Sequence, residues 1–178
     1  MIINNCYKEI FSLNLDNDDK IFLSTLVDRY AEKANPVQGR NPDGTLRPVF
    51  HNYKDFYIHK SEIDYSDNIL FRKIEKTFNG YKDLDYIYKR FHIAVVPGPL
   101  PYHIDKRECA FTIPFKPVKY PITWVDDNYH IIGFYNYENP VLVNTKIKHG
   151  CLQNDEMRIL FQVGFDEPFN IVKSIIPA

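Results

Sequence analysis

Histidine and aspartate stand two residues apart in Tyr102-His103-Ile104-Asp105. On an extended strand, where side chains repeat every second residue, His103 and Asp105 leave the same face. His149 lies far downstream, just before Gly150, and Arg158 follows nine residues later at the head of an apolar run. Two imidazoles and one carboxylate form the facial ligand set that holds non-haem Fe(II) and leaves coordination positions open. A cation beyond such a metal suits a ligand carrying a second negative charge. A lone His-x-Asp or His-Gly is commonplace. Order and surroundings add weight: His103 follows the turn Pro97-Gly98-Pro99-Leu100-Pro101, and His149 follows the strand-like Val141-Leu142-Val143-Asn144-Thr145.

The elements that must position these residues are mostly strands. From Leu84 the chain breaks into short β-branched or aromatic runs separated by turn residues. Eight strands are predicted, over 84–96, 100–105, 107–115, 121–126, 129–137, 140–145, 146–151 and 157–165. Eight short antiparallel strands without intervening helices point to a sandwich or jelly roll. Along Arg158–Phe165 one face is wholly apolar (Ile159, Phe161, Val163, Phe165), and the other carries Arg158, Leu160, Gln162 and Gly164. The first face fits a sheet covered by helices. The second puts a charge inside, where an arginine needs an anion; a rim arginine paired with an acidic side chain is the plainer alternative.

Two helices precede the strands. Phe22, Leu23, Leu26, Val27 and Tyr30 recur at helical spacing over roughly 18–34. Leu70, Phe71, Ile74 and Phe78 form a second stripe between Ser66-Asp67 and Asn79-Gly80. Ile10-Phe11-Ser12-Leu13 reads as a short strand. The stretch 35–49, with three prolines and two glycines, is a loop that could close over a site or simply cap the surface. The expected organisation is one domain over 1–178. A helical layer and loop occupy 1–83, the β core 84–166 and a C-terminal tail 167–178. The fold class is mainly β with N-terminal helices (α+β).

A net charge of −1 gives no basic field to attract nucleic acid or an anionic membrane. Cys6, Cys109 and Cys151 are too few and scattered for a disulfide framework. No signal peptide and no apolar run of about 18 residues is visible, so the expected setting is intracellular and cytoplasmic. His51, His59, His92 and His130 lack ligand-like spacing and read as structural or surface residues. Cys151, two residues after His149, reads as a small buried hydrophobe that could face the site.

The phrases Pro97-Gly98 … Tyr102-His103-Ile104-Asp105-Lys106-Arg107 and Pro140-Val141-Leu142-Val143-Asn144-Thr145 … His149-Gly150 … Asn154 … Arg158 resemble the two motif regions of small Fe(II)/2-oxoglutarate-dependent oxygenases. They are most similar to short microbial and phage-type members related to the aspartyl/asparaginyl hydroxylase group. The resemblance covers about residues 84–166. It implies a double-stranded β-helix (jelly-roll) core, with His103, Asp105 and His149 as iron ligands and Arg158 holding the distal carboxylate of 2-oxoglutarate. It also implies use of O2, release of succinate and CO2, and hydroxylation of a C–H bond in a peptide side chain or small molecule. Many members carry Arg-x-Ser on the last strand; here Leu160 stands two residues after Arg158. Thr112, Asn144, Tyr102 or Tyr135 could supply the missing contact, and Arg107 is a further anion contact or a salt-bridge partner. The competing readings are a cupin-type metalloenzyme that does without 2-oxoglutarate and a non-catalytic jelly-roll module.

Overall fold

The structure, a computed structural model, describes residues 5–30, 35–36, 54–57, 68–96, 98–115, 119–153 and 157–177. Two antiparallel sheets form the molecule's centre. The larger has seven strands: β1 (Tyr7–Glu9), β2 (Asn35–Pro36), β3 (Lys54–Tyr57), β4 (His92–Val96), β6 (Cys109–Pro114), β9 (Val141–Asn144) and β11 (Arg158–Phe165), ordered β1-β9-β6-β11-β4-β3-β2. The smaller holds β5 (Leu100–His103), β7 (Ile122–Val125), β8 (Ile131–Tyr135) and β10 (His149–Cys151), ordered β5-β10-β7-β8. Chain neighbours β4 and β5, β6 and β7, and β8 and β9 therefore lie in different sheets, so the chain repeatedly crosses between them.

The alternation predicted for the last strand holds. Phe161, Val163 and Phe165 of β11 join Ile93 and Val95 of β4, Phe111 and Ile113 of β6, and Leu142 of β9 in one buried cluster with the helices. The opposite face joins Ala94, Leu160, Val141 and Val143 to Ile122, Trp124 and Tyr135 of the small sheet, forming a second cluster between the sheets. The hydrophobic effect thus works on both faces of the large sheet, and every β11 residue except half-buried Ile159 is buried.

Helix α1 (Asn17–Tyr30) buries Leu23, Leu26 and Tyr30 against the large sheet, and α2 (Ile69–Thr77) buries Leu70, Phe71 and Ile74. Asp16 and Asp19 exchange backbone-to-carboxylate hydrogen bonds of 3.0 Å at the start of α1, a reciprocal N-terminal cap. The Asn68 side chain caps α2 by accepting from the Leu70 and Phe71 amides. Two expectations, on residues 84–90 and on the N-terminal strand, are corrected. Residues 84–90 are not strand but helix α3 (Leu84–Arg90), because Asp83 accepts from the Tyr86 amide and starts a helical turn that buries Ile87 and Tyr88. The tail holds helix α4 (Phe169–Ile175), which buries Phe169 and Val172. The N-terminal strand is Tyr7–Glu9, paired with β9, and residues 11–12 turn. Most of the 35–49 loop, His51, His59 and Ser66-Asp67 lie outside the described residues. No helix among the described residues is long and apolar enough to cross a membrane.

Lys73 of α2 clasps the start of α1, 2.7 Å from Asp16 and 2.5 Å from Asp19, whose side chain is only 1% exposed. Lys73→Ala leaves the buried Asp19 carboxylate without its cation, and we expect a loss of about 2 kcal/mol at neutral pH, discounted for the partial exposure of Lys73. The hydrogen bond from Lys73, and then the backbone amide of Asp19, lower the Asp16 carboxyl from 3.8 to about 2. Its contribution is therefore present above 3.8 and vanishes as pH falls towards 2. Thermal melts of both proteins should show the Lys73–Asp16 part of the gap shrinking across that window.

Candidate metal centre

The site begins with a strand register. β10 pairs with β5 so that His149 lies directly opposite His103, and with β7 so that His149 also faces Trp124. Residues opposite one another in a sheet project to the same side, and the two imidazoles come together with ring centroids 4.5 Å apart. Gly150 permits this close approach: a Cβ there would stand 2.7 Å from the Leu100 carbonyl oxygen and 2.9 Å from the Tyr102 nitrogen. Asp105 lies just beyond the end of β5, where its amide donates to the Thr145 carbonyl at 3.1 Å. One ligand atom from each of His103, Asp105 and His149 falls within 4.8 Å of the others.

Both rings are held in the same way. His103 Nδ1 lies 2.7 Å from the Pro101 carbonyl oxygen and His149 Nδ1 2.9 Å from that of Ile147. A carbonyl can only accept, so each Nδ1 carries a proton, which leaves Nε2 as the nitrogen each ring can offer to a metal. His103 Nε2 is 3.3 Å from Asp105 Oδ1. Burial, and then the charge of His103, lower His149 to about 4, so it stays neutral near pH 7. Burial pulls His103 down, but the Asp105 carboxylate and the Pro101 carbonyl outweigh it and the net direction is upward. Burial would raise Asp105, yet His103, Arg107 and His149 together hold it well below the usual carboxylate range. Two imidazole nitrogens and one carboxylate oxygen, with the second ring nitrogens tethered, are a donor set that fits a divalent ion of the Fe(II) kind.

Arg158 opens β11 opposite Val96 and is 2% exposed. Its Nε and Nη2 are buried without a hydrogen-bond partner. Among the described residues no carboxylate pairs with Arg158, so the rim salt bridge of the plainer alternative is not seen there. Arg158 acts electrostatically on Cys151 and on Tyr137, and Tyr137 also feels Arg107 and Asp105. Tyr137 is 4% exposed, adopts a positive φ of 55° and packs in the inter-sheet cluster. Burial is the main cause that lifts its hydroxyl to about 12. The sequence reading put it at the end of the strand predicted over 129–137, but β8 ends at Tyr135 and strand parity gives no orientation in the irregular backbone beyond it.

The other named residues are distributed around this centre. Thr112 is on the inner face, its hydroxyl accepting from Gln162 Nε2 at 3.1 Å. Asn144 donates to the Asn5 carbonyl at 2.9 Å and accepts from the Lys146 amide at 3.1 Å. Tyr102 neighbours His103 on a strand and so takes the opposite face. Its hydroxyl meets Thr123 Oγ1 at 3.0 Å, and it lines a surface groove of about 310 Å³ with Ile131, Phe134 and Leu152. The Tyr135 hydroxyl is engaged by the Asn139 backbone. His92 and His130 stand outside the triad, His92 against the Arg90 carbonyl and His130 beside Asp126.

No family model matches the chain, and no curated protein does. Its fold is similar to that of solved structures. One is a prolyl hydroxylase from Trichoplax adhaerens in complex with a hypoxia inducible factor oxygen degradation domain peptide fragment; identity is 12%, coverage 99% of this chain and 90% of that one, and TM-score 0.58. Another is a prolyl-4-hydroxylase from Pseudomonas putida, at 9% identity, 93% and 95% coverage and TM-score 0.56. A third is IDO from Bacillus thuringiensis, at 13% identity, 90% and 93% coverage and TM-score 0.51. The chain thus shares its fold with these structures along nearly its whole length.

Calorimetric titration of the protein with Co(II) in the absence of oxygen tests the centre. His103→Ala and His149→Ala should each weaken binding by more than the ~10–100-fold that loss of an outer-shell partner costs. His130→Ala should leave it unchanged.

Proposed function

We propose that the protein is an Fe(II)- and 2-oxoglutarate-dependent dioxygenase on a jelly-roll core, hydroxylating a C–H bond of a peptide side chain or small molecule. Succinate and CO2 are the co-products. The observation that carries this reading is Arg158, whose buried Nε and Nη2 have no hydrogen-bond partner among the described residues and which acts, with Asp105 of the His-Asp-His centre, on the same buried Tyr137 hydroxyl. An uncompensated buried charge costs several kcal/mol, and a molecule with two anionic ends satisfies both places at once. The motif resemblance and the shared fold support the same choice.

In this reading His103 and His149 give their Nε2 atoms and Asp105 one oxygen to Fe(II), leaving positions for cosubstrate and O2. Bound there, iron and 2-oxoglutarate supply the oxidising power of the reaction. The chain's own contributions are orientation and exclusion. Arg158 offers a planar fork that meets a carboxylate with two parallel hydrogen bonds. Tyr137, Leu160, Trp124 and Val141 wall the interior against water, which strengthens each charge contact made within it. A peptide substrate is favoured by the peptide bound in the Trichoplax adhaerens neighbour.

Anaerobic titration with Fe(II) and then 2-oxoglutarate should produce a visible metal-to-ligand charge-transfer band. Arg158→Met should raise the 2-oxoglutarate dissociation constant about 100-fold, on the order of 3 kcal/mol for two charge-assisted bonds. A band equally strong and equally tight in the variant would exclude the role given to Arg158 and favour the cupin-type alternative. The same variant should be more stable than wild type without cosubstrate, by ~1–3 kcal/mol in denaturant unfolding, because it removes an unpaired buried charge.

A further inference from the structure

We propose that Arg107 is a positioning residue that ties up one oxygen of Asp105, so that the carboxylate meets the metal through the other alone. The inference rests on the metal-binding reading of the triad. The two oxygens of Asp105 have different neighbours. Oδ1 lies 3.3 Å from His103 Nε2, on the side where a shared ion would sit. Oδ2 accepts a hydrogen bond from Arg107 Nε at 2.9 Å. A carboxylate that chelates with both oxygens takes up an additional coordination position, whereas this chemistry needs open positions. A charge-assisted bond from a guanidinium to Oδ2 opposes that second contact.

Arg107 is itself anchored from two directions. Its carbonyl accepts from Thr145 Oγ1 at 2.8 Å, while the Thr145 carbonyl takes the Asp105 amide at 3.1 Å. The Lys146 ammonium adds bonds to the carbonyls of Asp105 at 3.4 Å and Lys106 at 3.0 Å. On the other side the Arg107 side chain lies over β11 where Gly164 leaves room. A Cβ at Gly164 would stand 2.8 Å from Arg107 Cδ and 3.4 Å from Nη1. An alanine there therefore displaces the arginine without altering any charge. The electrostatics agree with the geometry, since Arg107 contributes to lowering both Asp105 and His149.

The test compares wild type with Arg107→Ala, Arg107→Lys and Gly164→Ala, each loaded with Co(II) under anaerobic conditions and titrated with 2-oxoglutarate. The readouts are the Co(II) ligand-field spectrum and the dissociation constants of metal and 2-oxoglutarate. We expect Arg107→Ala and Gly164→Ala to change the spectrum and to weaken 2-oxoglutarate binding at least about tenfold, with Arg107→Lys recovering part of both. Gly164→Ala keeps the question answerable if Arg107→Ala does not fold. Metal-loaded variants with the wild-type spectrum and 2-oxoglutarate affinities within twofold of it would overturn the positioning role while leaving the proposed function standing. Failure of wild type to bind Co(II) would instead overturn the metal-binding reading itself.

Discussion

The pairing of β10 with β5 is the constraint on which the centre depends. It brings together two histidines far apart in sequence and fixes them on one face. Strand side chains alternate, so a slip of one residue would turn His149 outward and put Gly150 in its place. Gly150 itself holds the strands in this register, because a side chain there would strike the β5 backbone. On the other side, β7 sets the wholly buried Trp124 against His149, and the indole nitrogen donates to the Asn144 carbonyl at 3.1 Å. The imidazole is thus walled by aromatic bulk on one strand and by its partner histidine on the other.

The large sheet provides the support for such an interior. Its outer face meets α1, α2, α3 and α4 through a continuous apolar cluster with stacked and edge-on pairs such as Phe91–Phe161 and Phe78–Phe111. Its inner face can then carry polar groups: Arg158, with its Nε and Nη2 buried and without a hydrogen-bond partner among the described residues, the buried His92, and the hydrogen-bonded pair Gln162–Thr112. Buried polar groups of this kind cost stability unless paired. Placing stability on one face of β11 and function on the other lets both occupy the same eight residues.

Within the centre, second contacts decide what each ligand can do. Both histidines spend Nδ1 on a backbone carbonyl two residues earlier in the chain, which presents Nε2 inward. Asp105 divides its oxygens between the histidine side and Arg107. None of these contacts is visible in a ligand motif, since each depends on backbone direction or on a residue brought in from another strand.

The sequence by itself determined the period-2 faces of β11, the amphipathic stripes of α1 and α2, and the same-face placement of His103 and Asp105. Those features follow from local periodicity and hydrophobic burial, which neighbouring residues dictate. It misread Leu84–Arg90, where an Asp83 cap decided for helix over a stretch rich in aromatic residues. Only the tertiary structure decided the rest: which strand His149 faces, that Arg158 buries its Nε and Nη2 without a hydrogen-bond partner among the described residues, and that Tyr137 turns into the interior through a positive φ. It also decided that Asp105 is held by an arginine lying over Gly164 of the last strand. The physical reason is the same throughout. Register, burial and desolvation are set by contacts between segments distant in the chain, and local pattern carries no information about which segments meet.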